Sequence, residues 1–213
     1  MNQRLRAALG AIALLGLLAG CGGPGKFADE AAPLTTSDAP STSTPPSSTA
    51  GIVPTGIRIP SIAVNNRSFM QLGLVNQELE VPPLSQPRLM GWFKLSPLPG
   101  ESALCSYTDG CVQPAVIASH VNGNGVAGGF AKLNQVKAGA SIEVDRSDGK
   151  TAFFKVTKTT VFKKTGFDSK AVYGVSSPSI VLITCGPGTV VNGSYLNQTV
   201  VTASLVELKP TSP

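Results

Sequence analysis

Ser179-Ile180-Val181-Leu182-Ile183-Thr184-Cys185 is the most apolar strand-like run in the C-terminal part of the chain, and Gly186-Pro187-Gly188 stops it. A short run of β-branched residues and leucine bounded by Gly and Pro reads as a buried β-strand. The same texture recurs around it, from Gly51 to about Leu208: GIRIPSIAV (56–64), ELEVP (78–82), AVIASHV (115–121), ASIEVDR (140–146), TAFFKVTKTTVF (151–162) and TVVTASLVEL (199–208). Ser147-Asp148-Gly149-Lys150 between two of these runs reads as a hairpin turn. Helical periodicity is weak; Phe130–Val136 and Phe167–Tyr173 are each expected to form one or two turns. Many short strands at regular spacing point to a mainly β domain, a barrel or sandwich, over residues 51–208, with 209–213 as a tail.

Composition agrees. The 213 residues contain only 14% charged and 42% hydrophobic side chains, a balance that excludes wholesale disorder. The net charge of +5 is modest, and two of the positive charges, Arg4 and Arg6, sit at the extreme N-terminus, so no nucleic-acid partner is expected. With one His and no Cys-x-x-Cys, no metal site is expected. The Gly123–Gly129 stretch lacks the Lys-Ser/Thr of a phosphate cradle, and no cofactor is expected either.

The N-terminus reads as an export signal. Arg4 and Arg6 precede an apolar run from Ala7 to Ala19, and no charged residue falls between Arg6 and Lys26. Leu18-Ala19-Gly20-Cys21 resembles the bacterial lipobox, which implies a signal peptide over 1–21 and acylation of Cys21; an uncleaved anchor is the alternative. Either reading places the rest of the chain outside the cytoplasm. Residues 22–50, including Thr35–Ala50 (TTSDAPSTSTPPSSTA), read as a disordered Ser/Thr/Pro-rich tether to a membrane.

Three cysteines remain. Cys105 and Cys111 enclose Ser-Tyr-Thr-Asp-Gly, and in an oxidising setting this short loop is expected to close as a disulfide; two reduced thiols are the alternative. Cys185 is left unpaired at a strand exit. His120, the single histidine, also ends a strand-like run, Ala115-Val116-Ile117-Ala118-Ser119. Equivalent positions suit a thiol–imidazole pair, which supplies a nucleophile and an acid for a leaving amine.

At these residues the sequence resembles a sortase, and is most similar to the actinobacterial class F group. The resemblance runs from Gly56-Ile57-Arg58-Ile59-Pro60-Ser61-Ile62 to Val206. It passes through Gly91-Trp92-Phe93, Pro97-Leu98-Pro99-Gly100-Glu101, Ala115–Val121, Phe130-Ala131-Lys132-Leu133, Ala171-Val172-Tyr173-Gly174 and Leu182-Ile183-Thr184-Cys185-Gly186. The order of these pieces, with His120 and Cys185 65 positions apart, carries it. The resemblance implies an eight-stranded β-barrel with one or two short helices. It implies that Cys185 attacks a sorting signal on an exported protein, while His120 protonates the leaving amine. The acyl group then passes to a peptidoglycan or pilin amine, or to water. A membrane-anchored monomer without cofactor is expected.

Three departures stand out. Ser119 replaces a usual Gly, and Asn122 stands where Asp is common. Sortases also carry an Arg on the strand after the cysteine, whereas this chain has no Arg after Arg146. Gln198 or Asn197 is the expected stand-in for binding the substrate carbonyl, with Arg58 and Arg88 as more remote candidates. The missing arginine also motivates an alternative: a weak or inactive sortase-fold lipoprotein serving as a binding or scaffold module. A peptidoglycan L,D-transpeptidase fits less well, because Thr184 rather than Gly precedes Cys185.

Overall fold

The computed structural model describes residues 51–211, apart from Gly166, Ser177 and Asn192. The expected signal segment, Cys21 and the tether over 22–50 lie outside the described residues. Nine strands form one sheet: β1 (Pro54–Ile59), β2 (Val64–Asn66), β3 (Phe69–Leu72), β6 (Met90–Phe93), β7 (Ala115–Ala118), β10 (Ser141–Arg146), β11 (Lys150–Lys163), β12 (Ser179–Cys185) and β15 (Asn197–Pro210). Three small hairpins complete the strand set: β4 (Leu74–Val75) with β5 (Glu78–Leu79), β8 (Asn122–Gly123) with β9 (Val126–Ala127), and β13 (Val190–Val191) with β14 (Ser194–Tyr195). The sheet order is β2-β1-β10-β11-β15-β12-β7-β6-β3. The mainly β architecture is as expected; the sheet counts nine strands rather than eight because short edge strands such as β2 join it. β15 runs to Pro210, two residues past the expected domain end, and Thr211 N–H still bonds Gly149 O at 2.8 Å.

The apolar pattern explains the layering. The β12 run is continuous rather than alternating because both of its faces are covered. Ile180 and Leu182 enter one core cluster with Ile57, Ile117, Ile142, Phe154 and Val201. Val181 and Ile183 enter a second with Leu72, Phe93, Val116, Ala118, Val172 and Val200. The turn at Ser147–Gly149 closes the β10–β11 hairpin, with Gly149 at φ 73°.

Both expected helical segments are present. A 3-10 turn covers Leu133–Gln135 and α1 covers Ser169–Tyr173. Asp168 caps α1 by accepting Ala171 N–H at 3.0 Å, and α1 lays Val172 and Tyr173 onto the second cluster. Burial pushes the Tyr173 phenol up to about 12.

Cys105 and Cys111 are joined as a disulfide. Their loop holds a 3-10 turn, Tyr107–Asp109, and rests against α1. Tyr107 Oη lies 3.3 Å from Ser169 Oγ, and Gln113 N–H donates to Tyr173 O at 2.9 Å. At the opposite end of the sheet order Arg58 donates to Glu143 (2.8 Å) and to Asp145 (2.9 Å). Gly56 leaves room for that carboxylate, since a Cβ there would stand 2.9 Å from Asp145 Oδ2.

The Arg58 hydrogen bonds hold the Asp145 carboxyl below its ordinary range, against the opposing effect of burial. A depressed carboxyl contributes stability above the ordinary carboxylate range and loses it as pH falls through the depressed value. Asp145→Asn is therefore expected to cost about 2–3 kcal/mol at neutral pH and to flatten the acid limb of stability, measured by urea unfolding between neutral and strongly acidic pH. Cys105→Ser/Cys111→Ser is expected to lower stability by about 2 kcal/mol and to speed hydrogen exchange in α1 more than in β12.

Candidate active site

Strand pairing sets the site. β12 runs parallel to β7, with Ile183 opposite Ala118, and Ser119 N–H bonds Ile183 O at 3.2 Å. Cys185 and His120 each lie two residues beyond that pair, Cys185 as the last residue of β12 and His120 just past the end of β7. On the other side β12 runs antiparallel to β15, and Cys185 pairs directly with Gln198. Side chains alternate between faces with period two. Val181, Ile183 and Val200 belong to the second core cluster, which assigns Cys185 and Gln198 to that same face of β12 and β15; His120 follows two residues after the end of β7.

Cys185 is the free cysteine among the described residues, and it is half-buried. It lines a cavity of about 400 Å³ with Val121, Thr184, Pro187, Tyr195 and Thr199. Two buried polar atoms near the thiol have no hydrogen-bond partner among the described residues: Thr184 Oγ1 and Gln198 Oε1. An unpaired buried polar atom costs about 1–3 kcal/mol. The Gln198 amide can turn to present either its oxygen or its NH₂.

The chain beyond Cys185 and around His120 is tied down. Gly186 takes φ 79°, its N–H bonds Asn197 O at 2.8 Å, and its carbonyl accepts Thr199 Oγ1 at 2.7 Å. Asn197 is occupied: its Nδ2 donates to Pro187 O at 3.1 Å, on the strand face opposite to Gln198. On the histidine side Ser119 Oγ donates to Leu89 O at 2.9 Å, and Phe130 N–H bonds His120 O at 3.1 Å. Gly128 packs so closely that a Cβ there would stand 2.0 Å from His120 O. The hydroxyl at Ser119 thus anchors the residue before the imidazole. The half-buried His120 ring has Nε2 2.6 Å from Pro82 O.

Asn122 Nδ2 donates to Tyr195 Oη at 2.9 Å, joining the loop after His120 to the hairpin after Cys185. Tyr195 also lies over Gly186, where a Cβ would stand 3.3 Å from the ring. Sequence reading missed both Tyr195 and Pro82, since neither belongs to a motif and only folding brings them to the site.

The arginines lie elsewhere. Arg58 is committed to Glu143 and Asp145, and Arg146 is buried against Glu101 and Asp148. The exposed Arg67 lies 3.9 Å from Asp145. Arg88 lines a separate cavity of about 530 Å³ with Ser85, Pro87 and Gly123, so neither remote candidate joins Cys185. No cluster of three metal-ligating side chains occurs among the described residues, and none of their helices is long and apolar enough to cross a membrane.

Comparison with curated proteins finds no match. Among solved structures the chain is similar to sortase C-1 of Actinomyces oris, with 25% identity, 71% of this chain and 72% of that chain covered, and a TM-score of 0.52. It is similar to sortase A of Corynebacterium diphtheriae at 23% identity, covering 76% and 64%, with a TM-score of 0.55. Sortase E1 of Streptomyces coelicolor, solved with a tripeptide in its active site, shares 19% identity over 73% and 88%, with a TM-score of 0.51. These likenesses span classes A, C and E and share one fold. Residues 57–206 match the family described as Sortase domain, from strand β1 through the cysteine strand and into β15. The chain belongs to the sortase family.

Proposed function

We propose that this domain is an extracytoplasmic cysteine transpeptidase in which Cys185 is the nucleophile and His120 the acid–base. The observation that carries this reading is the register: Cys185 pairs with Gln198 where β12 meets β15, and His120 follows the end of β7, the parallel neighbour of β12 on its other edge. The free, half-buried thiol beside a cavity supports it. In the first half-reaction the Cys185 thiol gives its proton to His120 and its sulfur attacks the carbonyl of a sorting-signal amide. The C–N bond breaks, a thioester forms, and the imidazolium protonates the departing amine. A peptidoglycan or pilin amine, or water, then attacks the thioester. His120 takes its proton and returns one to the thiolate.

Gln198 is the residue proposed to donate a hydrogen bond to the substrate carbonyl oxygen as charge develops on it. It sits across from the thiol, whereas Asn197 is committed to Pro187. A neutral amide stabilises an oxyanion less than a guanidinium does, so slow turnover goes with this arrangement. Assignment to class F rests on the order of motifs, and membrane attachment rests on the lipobox-like Leu18–Cys21. A second reading, an inactive sortase-fold binding module, is favoured by the absence of any arginine beside Cys185 among the described residues.

The two readings separate on incubation with a library of Thr-Gly-containing sorting-signal peptides. The wild type is expected to gain the mass of an acyl group and Cys185→Ala to gain none; no acyl-enzyme with any peptide selects the binding module. Gln198→Ala is expected to lower the acylation rate about 100- to 1000-fold while leaving methanethiosulfonate labelling of Cys185 unchanged.

A further inference from the structure

The His120 ring meets a main-chain oxygen that belongs to no motif. Nε2 lies 2.6 Å from Pro82 O, and a carbonyl oxygen can only accept, so Nε2 carries the proton of that bond. We infer that Pro82 is a positioning residue for His120: its carbonyl holds the Nε2 proton and leaves Nδ1 as the nitrogen that shuttles protons in the reaction proposed above, on which this inference rests.

The segment around Pro82 is built to hold that oxygen still. Glu80 N–H bonds Gly73 O at 3.0 Å at its start, and Gln86 N–H closes a turn on Pro83 O at 2.9 Å. At its end Pro87 O accepts Gly129 N–H at 2.9 Å, Arg88 O accepts Asn66 Nδ2 at 2.7 Å, and Leu89 O accepts Ser119 Oγ at 2.9 Å. Pro82 is buried although Val81, Pro83 and Leu84 are exposed. Its own ring fixes φ, and the following Pro83 restricts it to extended backbone, so the direction of its carbonyl is set largely by covalent geometry. His120 is held independently through its main-chain oxygen, bonded to Phe130 N–H. Ring rotation and tautomer are thus both determined before substrate arrives, which is the second-point support a proton-shuttling imidazole needs.

Nδ1 takes the Cys185 proton, passes it to the nitrogen of the breaking amide, takes one from the incoming nucleophile and returns it to sulfur. The other proton stays on Nε2 throughout, donated to Pro82 O.

Because His120 is the only histidine, ring-nitrogen NMR of the uniformly ¹⁵N-labelled chain reads this one residue. The wild type is expected to show a single neutral tautomer protonated at Nε2, with its N–H proton protected from solvent exchange. Pro82→Gly/Pro83→Gly is expected to lose that protection and to lower kcat about 10- to 100-fold. KM should stay within about twofold, because the variant alters proton transfer rather than substrate binding. A ring protonated at Nδ1, or a variant with unchanged ring spectrum and kcat, overturns the inference. If the variant fails to fold, the wild-type spectrum alone decides. Nδ1 protonation in an enzyme that still forms its thioester sinks this inference and spares the transpeptidase; no thioester in the wild type sinks the transpeptidase and the shuttling role together.

Discussion

Strand β12 is hydrogen-bonded along both edges, antiparallel to β15 and parallel to β7, and every other relation at the site descends from that double pairing. Because strand side chains alternate, a slip of one residue on either edge would turn Cys185 away from Gln198 or from the level of His120. Such a slip is resisted by burial on both faces. Ile180, Val181, Leu182 and Ile183 are almost wholly buried, in two separate clusters, and a shift would put each into the wrong one. The apolar sequence of β12 is therefore what maintains the geometry of the polar groups at its end.

Charge and chemistry are kept apart in this domain. The strong ion pairs, Arg58 with Glu143 and Asp145 and Arg146 with Glu101 and Asp148, brace the β1–β10 end of the sheet. Around Cys185 the polar groups are amides and hydroxyls, Gln198, Asn197, Thr184, Thr199 and Tyr195, while the oxygen of Pro82 meets the His120 ring. Thr184 and Gln198 remain buried with an unbonded oxygen among the described residues, a local cost accepted beside the thiol.

Legibility followed the range of the interaction. The strands, the hairpin at Ser147–Lys150 and the two helical segments were readable because apolar runs and turn residues are local signals. Cys105 and Cys111 were readable as a pair because a short loop brings them together almost unaided. The candidacy of Gln198 was readable only together with Asn197, since adjacent residues look equivalent until a face is assigned; Asn197 then proves bound to Pro187. Tyr195 and Pro82 were not readable at all. Their partners, Asn122 and His120, lie 73 and 38 positions away, and no local pattern encodes such contacts. Arg58 illustrates the converse: a remote candidate by sequence, it is claimed by two carboxylates on β10.

What the chain by itself determined is chemical and periodic: a β domain, a lone imidazole and an unbridged thiol at two strand ends, and no arginine on the strand that follows. Those follow from residue type and spacing, which are local properties. Tertiary structure alone decided which amide pairs across from the cysteine, which carbonyl meets the ring, and which carboxylates Arg58 and Arg146 engage. These depend on register across the sheet and on loops that meet only when two hydrophobic layers close, and that closure is a cooperative property of the whole fold.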